Sequence, residues 1–118
     1  MKFLKINHPE GPTKVGIHES RKICMVPVKE IIYCEAHGSY TFVYRIDGSL
    51  YVSCKNLRVI TRLLDKQGFA RIHKSYLVNM ECIKTLIMDR KAILVLTNDK
   101  KLDVARRKKQ FLLKKLFN

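Results

Sequence analysis

Acidic residues, glycine, proline and long apolar runs are all scarce in this sequence, and each shortage narrows what the chain can be. Asp and Glu number 10 against 24 Lys and Arg, which gives a formal net charge of +14. So basic a surface suits a polyanionic partner: DNA, RNA, an acidic protein or an anionic membrane face. No apolar run approaches the roughly 20 residues that span a bilayer, and the amino terminus lacks the apolar stretch of a secretory leader. Membrane insertion is not expected, and a cytoplasmic location is. With 5 Gly and 3 Pro, the chain has one Gly/Pro-rich patch, His8 to Pro12, which reads as a loop rather than a linker. Neither low-complexity sequence nor a repeat of solenoid period occurs, so a repeat architecture is excluded.

The four cysteines, Cys24, Cys34, Cys54 and Cys82, form no Cys-x-x-Cys pair, so neither zinc nor a disulfide frame is expected. They read as reduced and mostly buried, and no metal or cofactor is expected. Catalysis finds no support: Ser75 and His73 lie two residues apart on a polar stretch, without a nucleophile elbow. RNA-binding signatures are also missing, both the paired aromatic motif and the GxxG loop. A basic module for RNA or an acidic protein partner remains the alternative to duplex DNA.

What is present is a series of short β-rich runs. Val15 to His18, Lys22 to Val26 and Ile31 to Ala36 predict three strands, the last led in by Pro27 to Glu30, which suits one helical turn. Tyr40 to Ile46 and Leu50 to Cys54 predict a hairpin closed by Asp47-Gly48. Leu57, Ile60, Leu63 and Leu64 then share a helical stripe, predicting a helix over Lys55 to Gln67 capped by Gly68. His73-Lys74-Ser75 forms a polar knot suited to a loop tip. Strands follow at Ile83 to Met88, Ala92 to Thr97 and Lys101 to Val104, and the tail from Arg106 to Phe117 reads helical, with Phe111, Leu112, Leu116 and Leu113 as its inner-face candidates. The fold class is therefore mostly β with two or more short helices.

The run Phe69-Ala70-Arg71-Ile72-His73-Lys74-Ser75-Tyr76-Leu77-Val78-Asn79 resembles the signature F-x-R-x-H-x-S-[YF]-x-V-N of the LytTR-type DNA-binding domain, the output domain of bacterial response regulators. The similarity extends to Ile32 through Tyr40, to the helix bearing Leu57 and Leu64, and to Val104 through Arg107. It implies small antiparallel β-sheets stacked side by side, with loops rather than a recognition helix entering successive major grooves at paired short repeats. Residues 14–118 would form the domain, and residues 1–13 an extension or edge strand and loop. The implied partners are double-stranded DNA, a second copy on the DNA, and a receiver domain or membrane sensor on another chain or a further segment.

The residues that match the family's DNA-contacting positions are His37, Ser39 and Tyr40, then His73 and Lys74, then Arg106 and Arg107, with Lys108 following. Arg can bond guanine O6 and N7 as a bidentate donor, whereas Lys takes a base edge or a phosphate. Arg106 or Arg107 is the expected base reader. Basic residues at a helix start oppose the helix dipole, a local misfit that phosphate contact would explain. His73 has two readings, as a contact or as an internal hydrogen-bonding residue that fixes the loop with Asn79. Phe42, Tyr44, Phe69, Tyr76 and Leu77 are assigned to the core.

Overall fold

The structure, a computed structural model, describes residues 13–117. Nearly all of the predicted amino-terminal extension, with the His8 to Pro12 loop, lies outside the described residues. Ten strands and two helices follow in order: β1 (Lys14–Glu19), β2 (Lys22–Pro27), β3 (Ile31–His37), β4 (Tyr40–Arg45), β5 (Leu50–Ser53), α1 (Leu57–Leu64), β6 (Phe69–His73), β7 (Tyr76–Asn79), β8 (Ile83–Met88), β9 (Ala92–Leu96), β10 (Lys101–Asp103) and α2 (Lys109–Phe117). Single 3-10 turns at Val28–Glu30, Met80–Cys82 and Arg106–Lys108 lead into β3, β8 and α2. The Asp47-Gly48 turn forms as its chemistry demands, with Gly48 at φ +85° and the Asp47 carboxylate accepting the Ser49 N–H at 2.9 Å.

All strand pairing is antiparallel, in three sheets: β1-β2, a five-stranded sheet β5-β4-β3-β7-β6, and a three-stranded sheet β10-β9-β8. Alternation along the strands gives the five-stranded sheet two apolar faces. On one, Cys34, Val43, Phe69 and Leu77 pack with α1 and with Val15, Ile17 and Val26 of the β1-β2 hairpin. On the other, Tyr33, Ala70, Ile72 and Val78 pack with Leu94, Leu96 and Leu102 of the three-stranded sheet and with Leu112 of α2. A register shift between Ile31 and Tyr33 turns Ile32 and Tyr33 both toward the second core while Ile31 faces the first.

Some expectations are corrected or refined. The first helix is shorter than Lys55 to Gln67, because Asn56 caps it by accepting the Val59 N–H at 3.0 Å, so that Lys55 lies outside, and α1 ends at Leu64. Leu63 is 47% exposed: it sits roughly a quarter-turn off the stripe of Leu57, Ile60 and Leu64. In α2 only Leu112 is fully buried, while Phe111 (39% exposed) and Leu116 are exposed, because the helix packs mainly beside β6 and one row of side chains suffices. Cys34 and Cys82 are buried and Cys24 is half-buried, but Cys54, in the open turn after β5, is exposed. Of the residues assigned to the core, Phe69 and Leu77 are buried and the half-buried Tyr44 and Tyr76 pack against the second core as expected, whereas the half-buried Phe42 stacks on His37.

Candidate nucleic-acid interface

Antiparallel pairing brings distant signature segments to one end of the five-stranded sheet. His37 pairs with Tyr40 across the β3-β4 turn, and His73 pairs with Tyr76 across the β6-β7 turn. Because Glu35 pairs with Tyr76 and the Ala36 N–H donates to the Ser75 carbonyl at 2.9 Å, both turns point off the same end. The Ala105 N–H donates to the Ile72 carbonyl at 2.8 Å, which anchors the Arg106–Lys108 turn beside the end of β6. The Val104 N–H donates to the Ala92 carbonyl at 3.0 Å and ties the β8-β9 turn to the same corner.

The first turn is tight. Gly38 occupies its first central position at φ +62°, where only glycine is unstrained, and Ser39 completes it. Tyr40 is 53% exposed there. His37 is held by its neighbours: its ring stacks on Phe42 with centroids 3.8 Å apart, and its Nε2 lies 3.4 Å from the Glu35 carboxylate. Burial and the same carboxylate raise the phenols of Tyr44 and Tyr76 above their ordinary range, so both stay protonated donors.

In the second turn His73 is half-buried, and its Nδ1 accepts the Ser75 N–H at 3.0 Å while its ring lies 5.1 Å from that of Tyr76. This is the kind of hydrogen bond that the internal reading of His73 expects. Lys74 is exposed at the tip. Arg71, to which the sequence reading gave no role, donates from Nε to the His73 carbonyl at 2.9 Å and from Nη2 to the Lys74 carbonyl. Its Nη1 donates to Thr61 Oγ1 of α1 at 3.3 Å, and burial lowers its pKa from the usual value.

Arg106 and Arg107 are exposed on the 3-10 turn, whereas Lys108 is half-buried with its Nζ 4.8 Å from the centre of the Phe111 ring. Among the described residues, the ion pairs join His37 to Glu35, Arg45 to Glu30 and Asp47, and Lys84 to Asp99. Among the described residues, Arg106, Arg107 and Lys74 form no ion pair. A cleft of about 460 Å³ at this corner is lined by His73, Arg90, Lys91, Asp103, Arg106 and Lys109. It brings two predicted residues, His73 and Arg106, together with Lys109 of the same basic helix start and with Arg90 and Lys91. Arg90 and Lys91 were visible only as part of a basic excess in the last third of the chain, since nothing local ties the β8-β9 turn to Arg106. Among the described residues no group of His, Cys, Asp and Glu is arranged to hold a metal, and no helix is long and apolar enough to cross a membrane.

Comparison with known proteins places this geometry. The family model of the LytTr DNA-binding domain matches residues 21–117. The chain is 34% identical over 80 residues to the sensory transduction protein LytT of Bacillus subtilis, covering 68% of this chain and 33% of that protein. It is 32% identical over 72 residues to the transcriptional regulatory protein YpdB of Escherichia coli K12, covering 61% of this chain and 29% of that protein. The chain thus spans about a third of the length of the curated relatives it matches. A solved LytTr DNA-binding domain from Bacillus cereus superposes with a TM-score of 0.76 at 25% identity, covering 90% of this chain and 98% of that one. The stacked antiparallel sheets, the signature strand pair and the family match agree, and the chain belongs to the LytTr DNA-binding domain family.

Proposed function

We propose that this domain binds duplex DNA sequence-specifically as the output module of a bacterial transcription regulator, with its turns entering successive major grooves at paired short repeats. One observation carries the reading: the turns at 37–40, 73–75 and 105–108 converge on one end of the central sheet and carry exposed Arg106, Arg107 and Lys74, which form no ion pair among the described residues. Arg106 or Arg107 reads a base, Lys74 takes a base edge or phosphate, and Ser39 and Tyr40 with His37 tune the choice. His73 supports the second turn and lines the cleft beside Arg106. Arg90, Lys91, Lys108 and Lys109 add phosphate contacts, which set most of the affinity and its salt dependence.

The binding unit is residues 14–118, preceded by an extension over 1–13. Two copies bind side by side on DNA. Control reaches the domain through a receiver or a membrane sensor, on another chain or a further segment, and the protein acts in the cytoplasm without enzymatic activity of its own.

Selection from a random duplex library at near-physiological salt tests this reading. Enrichment of a short motif, in two copies about one helical turn apart, is the expected result. Retention without enrichment would overturn sequence-specific reading and favour an RNA or acidic protein partner.

A further inference from the structure

Arg71 has an arrangement that packing alone does not require. Its guanidinium is half-buried and has no carboxylate partner among the described residues. A desolvated cation is tolerated only where dipoles replace its water. Here three acceptors do so: the His73 and Lys74 carbonyls of the turn, and Thr61 Oγ1, whose own hydroxyl donates to the Leu57 carbonyl at 2.7 Å. The bridge ties the β6-β7 turn to the interior of α1. The fork of guanidinium donors fits three acceptors lying in different directions, which a single ammonium on a flexible stem cannot match. The main-chain carbonyls of His73 and Lys74 are thereby fixed, and the His73–Ser75 hydrogen bond closes the other side of the same turn.

We propose that Arg71 is a positioning residue for DNA reading, holding the turn so that the Lys74 side chain stands off the end of the sheet without Arg71 itself touching the DNA. With the Arg71 guanidinium bonded to its main chain and no ion pair to it among the described residues, the Lys74 side chain is exposed to solvent, where a duplex meets it. Ordering the turn in the free protein removes part of the entropic cost of binding. This inference rests on the proposed DNA-binding reading and adds a residue that acts through Lys74.

The test uses Arg71→Lys, which keeps the charge and loses the fork, together with Lys74→Ala and the double variant. In the free protein, Arg71→Lys is expected to speed amide exchange at Ser75 about tenfold while leaving Leu77 and Val43 protected. Unchanged exchange at Ser75 overturns the proposal, whatever the DNA results. On a duplex carrying the site selected from the random library, Arg71→Lys is expected to lower the ratio of specific to random-sequence affinity about tenfold. Added to Lys74→Ala it is expected to cost nothing further, because one acts through the other. Full additivity of the two losses, or full selectivity in Arg71→Lys, would overturn it. If wild type prefers no sequence but Ser75 exchange still accelerates, Arg71 fixes the turn as inferred and the DNA-reading assignment is what fails.

Discussion

The buried side chain of Asn79 donates from Nδ2 to the Ile31 carbonyl at 2.9 Å, across 48 residues of sequence, while its Oδ1 accepts the Glu81 N–H at 3.0 Å. One amide thus joins the end of β7 to the start of β3 and caps the turn into β8. Asn79→Ala removes both bonds and leaves a buried carbonyl short of a partner. The expected loss is about 2 to 3 kcal/mol of unfolding free energy. Chemical denaturation measures it, and a change below about 0.5 kcal/mol would rule the brace out.

Arg106 and Lys91 line one cleft but are expected to fail differently. Arg106→Ala should weaken binding to the selected site by about 1 to 3 kcal/mol and relax one base position. Lys91→Ala should weaken binding to every duplex alike and reduce the salt slope by about 1. Titrations against specific and random duplexes at several salt concentrations separate the two. Equal loss on all sequences for Arg106→Ala would make it a phosphate contact.

Phe69 is 2% exposed in the first core. Phe69→Ala should cost about 3 to 5 kcal/mol, a lost transfer term plus a cavity that two packed sheets cannot fully close. An unchanged melting temperature would contradict its place in the core.

Cys34 and Cys54 should differ sharply toward thiol reagents. Burial pushes the Cys34 thiol up to about 12, whereas Cys54 is exposed. Mild alkylation of the native protein followed by peptide mapping should label Cys54 and spare Cys34. The raised pKa also links to stability. The folded state keeps the Cys34 proton while the unfolded chain releases it near 9, so this contribution is complete below pH 9 and is lost as pH rises toward 12. Cys34→Ala should flatten that part of the alkaline decline, and an identical slope in both proteins would contradict it.

Eight of the ten strands were legible in the sequence because their runs are rich in β-branched and aromatic residues and are bounded by turn chemistry, as at Asp47-Gly48, whereas β6 and β7 read only as the flanks of a polar loop tip. The signature from Phe69 to Asn79 likewise located one of the candidate turns, and of the two readings of His73 the internal one gained a partner only when Ser75 appeared as its donor. What the sequence did not disclose was non-local. Nothing around Arg90 and Lys91 says that a Val104 to Ala92 hydrogen bond will carry them to Arg106. Arg71 looks like any alternating polar strand residue until α1 supplies Thr61. The α2 stripe was overread for a related reason: periodicity states which residues share a face, and only the packed neighbour decides how many of them it covers.

The central sheet has a core on each face, and β3 and β7 contribute to both. Neither layer can melt alone without stripping the sheet that the other rests on, so the domain should unfold in a single cooperative step. The turns at the end of that sheet inherit part of this: the strands that carry them are packed on both faces and hold for as long as the whole domain is folded, while the turn tips depend on local bonds such as those of Arg71.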